Sequence, residues 1–295
     1  MIPAKKSLGQ NFLKSKEALR AMIAAGDIAP TDTVLEVGPG KGVLTRELLK
    51  VAAKVISVEK DSRLIESLKK EFEKEIAELK LVILEKDILE YEPAGKYKII
   101  ANIPYYITGS FLQKFLESEN QPEKIVVMLQ KEVAKRITVG AWRGDSRIER
   151  SETEGDTRQS AAGKESILSI SVKAYGHPRY IMTVKAKYFS PEPNVDSAII
   201  AIENISKKFF QGFTEEQFFK LVKAGFAHKR KMLAGNLSEA AGTDGAPFAP
   251  PQNSPAQKSH RSAGSLLLES AGIPEKARAE NLSLQDWKKL IAARS

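Results

Sequence analysis

Val34-Leu35-Glu36-Val37-Gly38-Pro39-Gly40-Lys41-Gly42 tells most about the architecture of this chain. An apolar run leads into three closely spaced glycines, and an amphipathic segment at 41–49 follows. That is a strand, a tight turn and a helix, the opening unit of an open α/β sheet. Glycines let the backbone pass close to a ligand, and such sheets bind ligands at the ends of their strands. A dinucleotide fingerprint has G-x-G-x-x-G spacing, whereas here the glycines fall at G-x-G-x-G with Glu36 just ahead. An acidic side chain beside the turn would repel a diphosphate. It suits a ligand carrying positive charge, such as the sulfonium and ammonium of S-adenosylmethionine. Glu36, Gly38 and Gly40 are therefore expected at a cofactor.

On either side of this unit the same alternation continues. Further strands are expected at 55–58, 81–84, 98–101 and 125–129, with helices at 62–73, 110–116 and 131–137. Strands at 180–186 and 198–202 are close enough to form an antiparallel pair at the sheet edge. Residues 166–175 are ambiguous between strand and helix. Beyond residue 206 strand signals vanish, and 215–224, 229–240, 265–271 and 284–292 read as helices. The expectation is a catalytic domain at 1–205 and a helical domain at 206–295. Two polar, weakly apolar stretches at 139–163 and 242–264 read as flexible insertions.

Acidic residues recur where strands end. Glu59 closes the second strand, about twenty residues after the glycine turn, where a carboxylate reaches a ribose diol. Asp87 follows the third strand, placed to accept an adenine amino group. The fourth strand runs into Asn102-Ile103-Pro104-Tyr105. This turn suits methylation of an exocyclic amine on a nucleobase. The adenine N6 lone pair is delocalised into the ring, so a general base helps little. Holding the nitrogen toward an electrophilic methyl helps more. The Asn102 amide oxygen and the Ile103 carbonyl each accept one N–H, Pro104 stiffens the turn, and Tyr105 offers a face for stacking.

Composition narrows the partners. The chain has 295 residues, 42% hydrophobic and 28% charged, as soluble globular proteins do. No apolar run approaches the ~18 residues a membrane span needs, and the N-terminus lacks the apolar core of a secretory signal. No cysteine and three scattered histidines argue against disulfides and structural zinc, so no metal is expected. A cytoplasmic location fits. The net charge of +9 is uneven: residues 206–295 hold 14 Lys/Arg against 8 Asp/Glu. A basic excess in the smaller domain points to a polyanion such as nucleic acid.

With these residues in view, the chain resembles the small-subunit ribosomal RNA adenine dimethyltransferase family. The resemblance starts at Lys6-Ser7-Leu8-Gly9-Gln10-Asn11-Phe12-Leu13 and takes in the glycine turn, Glu59, Asp87 and the Asn102 turn. It continues through residues 128–134 and 189–198, and ends with His228-Lys229-Arg230-Lys231 and residues 278–282. It implies a Rossmann-like methyltransferase sheet of seven strands, a small helical C-terminal domain, and a helix at 166–175. It implies that Asn11 and Leu13 touch S-adenosylmethionine from the N-terminal arm, with Gly38 under the methionine part and Asn102 near both cofactor and target amine. Phe189 would be a second aromatic plate facing Tyr105, and His228–Lys231, at a helix start, an RNA-contacting surface. The implied activity is transfer of two methyls to each of two adjacent adenosines in a hairpin loop near the 3′ end of small-subunit rRNA, by a monomer that takes part in subunit biogenesis. A related methyltransferase of large-subunit rRNA, a DNA adenine methyltransferase and a non-catalytic assembly factor are the competing readings; an NAD-linked dehydrogenase is the most distant.

Overall fold

The computed structural model describes residues 2–5, 8–139, 164–241 and 262–294. Both expected insertions fall largely outside these residues. The strands are β1 (Phe12–Leu13), β2 (Thr33–Val37), β3 (Lys54–Glu59), β4 (Leu81–Glu85), β5 (Lys98–Asn102), β6 (Lys124–Gln130), β7 (His177–Val184), β8 (Phe189–Ser190) and β9 (Ser197–Glu203). The helices of the first half are α1 (Lys16–Gly26), α2 (Val43–Leu48), α3 (Ser62–Glu71), α4 (Glu73–Ala77), α5 (Thr108–Glu117) and α6 (Lys131–Thr138). Then come α7 (Ile167–Tyr175), α8 (Glu215–Gly225), α9 (Leu233–Ala241), α10 (Ala263–Ser270) and α11 (Leu284–Ala292).

Contacts divide the described chain into two compact units. One holds the residues up to Thr138 together with Tyr175–Ser206; the other holds those of 139–174 and from Lys207 onward. This differs from the contiguous division at 205/206, because most of α7 groups with the later helices. In that second unit the Glu165 N–H donates to the Glu280 carbonyl at 2.8 Å, and Lys173 pairs with Glu165 at 2.5 Å. Segment 166–175, open between strand and helix by its sequence, is helical.

The first unit is a seven-stranded sheet in the order β4-β3-β2-β5-β6-β9-β7. β2 to β6 pair in parallel, and β9 and β7 are antiparallel. Strands covered on both faces should be apolar throughout. Accordingly Ile99, Ile100 and Ala101 of β5, Ile125 to Leu129 of β6 and Ala198 to Ile202 of β9 have no exposed surface. This is the expected Rossmann-like sheet, with its antiparallel pair at one edge.

The sequence reading passed over α1 in the arm ahead of β2. Its signals were local: Ser15 caps it by accepting the Ala18 N–H at 3.1 Å, and Ala18, Leu19, Met22 and Ala25 form its buried face. Helix α9 begins at Leu233, not 229. His228 to Lys231 therefore occupy the turn between α8 and α9, which corrects the expected basic helix start. Asn236 holds this turn by donating to the carbonyls of Gly225 and His228 at 2.6 and 3.2 Å. A carbonyl-rich turn after a helix end needs such a donor.

Candidate active site

Parallel strands β4, β3, β2 and β5 are neighbours, so their C-terminal ends lie side by side. Each end delivers one part of the site. β2 runs into the glycine turn, β3 ends on Glu59, β4 is followed by Asp87, and β5 ends on Asn102. These ends enclose a cavity of about 210 Å³. Gly38, Gly40, Glu59, Asp87, Asn102, Ile103, Pro104 and Tyr105 line it, as do Asn11 and Leu13 from the arm and Phe189 from β8. The structure thus brings residues proposed from sequence, on segments far apart in the chain, to one cavity.

The turn at the end of β2 needs left-handed backbone. Gly38 has φ 66° and Gly40 φ 58°, where a side chain is strained. A Cβ at Gly38 would meet only the Asn102 carbonyl, at 4.0 Å, and so would stand in cavity space. A Cβ at Gly40 would press on the Phe12 ring at 3.0 Å. Glu59 is 6% exposed; its Oε2 accepts the Gly40 N–H at 3.1 Å and its Oε1 the Asp61 N–H at 2.9 Å. Burial raises its pKa, and these backbone donors pull the other way. Asp87 caps the short turn after β4 by accepting the Leu89 N–H at 3.0 Å and pairs with Lys60 at 2.6 Å. The Lys60 bond is the main reason that its pKa is lowered.

Glu36 is corrected. It does not line the cavity but is fully buried beneath the turn. Its Oε2 accepts the hydroxyls of Thr45 on α2 and Ser57 on β3, both at 2.7 Å, while Oε1 has no hydrogen-bond partner among the described residues. Burial pushes its pKa up to about 7, against the lowering by those two hydroxyls. Glu36 therefore ties helix to sheet under the glycine turn and cannot answer a ligand's charge by contact.

At the end of β5, Asn102 Nδ2 donates to the Asn11 carbonyl at 3.3 Å. With Nδ2 engaged there, Oδ1 is the atom left to accept from a substrate. Tyr105 opens a short turn (Tyr105–Ile107), and its hydroxyl shares a 2.7 Å hydrogen bond with Ser197. Phe189 is 3% exposed, and its strand β8 pairs with β1 (Leu13 opposite Phe189), which fixes the arm beside it. Gln10, Phe12, Lys60 and Tyr106 are wall residues that sequence reasoning missed. Gln10 and Phe12 lie inside the N-terminal motif, and Tyr106, 63% exposed, directly follows Tyr105. The basic turn at His228–Lys231 belongs to the second unit, where Glu239 pairs with His228 at 3.1 Å and also with Lys231.

The donor set fits an amphipathic nucleoside cofactor. Two carboxylates, Glu59 and Asp87, line the cavity, and apolar side chains such as Leu19, Met22, Val58 and Ile88 line the remainder. The Gly40 N–H of the glycine turn is already taken by Glu59 and is not free for a diphosphate.

A seven-stranded sheet of this order, with a glycine turn and acidic strand ends around one cavity, defines a Rossmann-like methyltransferase. Similarity to known proteins narrows the class. The sequence model of the family described as ribosomal RNA adenine dimethylase matches residues 1–150 and 154–247. The chain belongs to that family. It is 40% identical over 295 residues to ribosomal RNA small subunit methyltransferase A of Dehalococcoides mccartyi strain BAV1, covering 98% of this chain and 88% of the relative. The protein of the same name from Fusobacterium nucleatum is 37% identical over 238 residues, 79% of this chain and 82% of the relative. Among solved structures, a dimethyladenosine transferase from Plasmodium falciparum superposes with TM-score 0.70 at 28% identity, covering 95% of each chain. The 23S rRNA methyltransferase ErmE superposes with TM-score 0.69 over 96% of this chain and 99% of its own, at 23% identity, which shows the fold alone. Among the described residues no helix is long and apolar enough to cross a membrane.

Proposed function

We propose that this chain is a small-subunit rRNA adenine N6,N6-dimethyltransferase. In this reading it uses S-adenosylmethionine to place two methyls on each of two adjacent adenosines in the 3′-terminal hairpin loop, during subunit assembly in the cytoplasm. The observation that carries it is the meeting of Asn102, Ile103 and Tyr105 with Glu59, Asp87 and Gly38 at one cavity.

Bound S-adenosylmethionine would supply a methyl activated by its sulfonium. Glu59 would hold the ribose hydroxyls, Asp87 the adenine amino group, and the Gly38 backbone would pass beneath the methionine part, with Asn11 and Leu13 covering it. Loop bases of RNA are already partly unstacked, and chemistry on a base needs it to leave its stack. Tyr105 and Phe189 would receive the flipped adenine. Oδ1 of Asn102 and the carbonyl of Ile103 would accept the two N6 hydrogens before the first transfer, and one of them the single remaining hydrogen before the second, which aims the nitrogen lone pair at the methyl. The proton released at each transfer would leave the methylated, positively charged N6 directly for water. Alignment supplies most of the rate, because neither acceptor is basic enough to act as a base. The turn at His228–Lys231 would contact RNA phosphates.

Unmodified small subunits incubated with the protein and S-adenosylmethionine should acquire dimethyladenosine at two adjacent positions. Methylation of isolated large subunits instead would favour the rival reading, and methylation of neither would refute the proposal.

A further inference from the structure

One wall of the cavity comes from the arm ahead of α1 and lies outside the seven-stranded sheet. Residues 8–13 cross it as a strap. The downstream end is fixed by backbone: β1 pairs with β8, and the Lys14 N–H donates to the Tyr188 carbonyl at 2.8 Å. The Phe12 ring lies against Gly40, under the Lys41 ammonium at 4.7 Å. Upstream of Phe12 the attachment changes character. Among the described residues two hydrogen bonds tie residues 8–11 to the body. One is the 3.3 Å bond from Asn102 to the Asn11 carbonyl. The other runs from Gln10 Nε2 to Asp61 Oδ2 at 2.8 Å, between residues 51 positions apart.

We infer that Gln10 is the latch of this strap: its bond to Asp61 holds residues 8–11 closed over the cofactor, and its breaking opens them for each cofactor exchange. The inference rests on the reading that the cavity binds S-adenosylmethionine. Four methyl transfers to one substrate would need the spent cofactor to leave and a fresh one to enter between them. A wall held by backbone pairing along its whole length would oppose that exchange. A wall held at one end by two side-chain bonds, the Gln10 one the shorter, would not, since such segments open at small cost without unfolding the sheet.

Asp61 is built as the fixed half of the latch. It is 4% exposed and caps α3 by accepting the Arg63 N–H. Arg63 also grips it through Nε at 2.8 Å and Nη2 at 2.6 Å, which keeps its carboxyl well below the usual carboxylate range. Its charge therefore persists at every pH where the protein works, and a bond to a charged acceptor is stronger than a neutral one. The backbone N–H of Asp61 donates to Glu59 Oε1, so the anchor is joined to a residue of the cavity itself. Gln10 is the moving half. Its Oε1 accepts the Lys5 N–H at 2.7 Å, which folds the arm back onto the same side chain. Releasing Gln10 frees the arm and leaves the Arg63–Asp61 pair intact. It also loosens the Asn11 carbonyl that orients Asn102, which makes Gln10 a positioning residue for the target amine as well.

The test uses the full-length protein as wild type, Gln10→Ala and Gln10→Glu. Two quantities are read: amide hydrogen exchange of residues 8–13 without ligand, and the release rate of S-adenosylhomocysteine by stopped-flow displacement. Gln10→Ala should speed both by about tenfold, the loss of one charge-assisted bond. Gln10→Glu sets carboxylate against carboxylate and should speed both further. Unchanged exchange in Gln10→Ala and Gln10→Glu would overturn the latch. Faster exchange with unchanged release would overturn its part in cofactor exchange. If the wild type binds no S-adenosylhomocysteine, the proposed function fails, while the exchange rates still decide whether Gln10 holds the strap.

Discussion

Replacing Glu36 by Gln should remove the pH dependence that this one carboxyl imposes on stability. Glu36 has no exposed surface, and burial raises its pKa from an ordinary 4.5 to about 7. Between those values the folded protein holds a proton that the unfolded chain has released. A raised carboxyl pKa contributes stability that is complete below pH 4.5 and is lost as pH rises through 7. The gap between 4.5 and about 7 corresponds to about 3 kcal/mol in all. About 2 kcal/mol of that falls between about pH 5.5 and 8.5, by the same linkage. Gln keeps an oxygen for the Thr45 and Ser57 hydroxyls, and its amide takes the place of Oε1, which has no hydrogen-bond partner to lose. It does not titrate. Urea unfolding followed by circular dichroism at about pH 5.5, 7.0 and 8.5 would give the stability difference between variant and wild type. As pH rises across that range, the difference should move in favour of Glu36→Gln by about 2 kcal/mol. A difference that stays constant with pH would refute the account of Glu36 as a buried, proton-holding tie.

Three further outcomes follow from the site and the packing. Asn102→Ala should lower single-turnover methyl transfer by about 100-fold or more, as loss of a preorganised polar contact to a reacting group does, while subunit binding measured by sedimentation stays near wild type. Glu59→Gln should weaken S-adenosylmethionine binding by about tenfold in calorimetry, since a hydrogen bond to a charged acceptor becomes a neutral one; unchanged affinity would remove Glu59 from the ribose site. Gly225→Ala should destabilise the second unit by about 1–3 kcal/mol, because the added Cβ would lie 2.4 Å from the Trp287 ring; urea unfolding followed by indole fluorescence measures it.

The sheet, and the edge of it where the site forms, were legible in the amino-acid order. Apolar runs broken by glycine and followed by amphipathic segments are local patterns, and a parallel sheet necessarily collects its strand ends. Gly38, Glu59, Asp87 and Asn102 could be placed at one cavity for that reason: each ends or closely follows a strand, and β4, β3, β2 and β5 are adjacent. Whatever depends on side chains distant in the chain had to wait for the folded packing. Glu36 reads as a ligand for positive charge until Thr45 and Ser57 close over it, nine and twenty-one residues away. Gln10 reads as part of a motif until it reaches Asp61. Helix α9 starts four residues later than its apolar spacing suggested, and the basic turn before it is held by Asn236. A strand's direction fixes where its last residue emerges, but whether a polar group there meets solvent, ligand or another side chain is set by what packs over it.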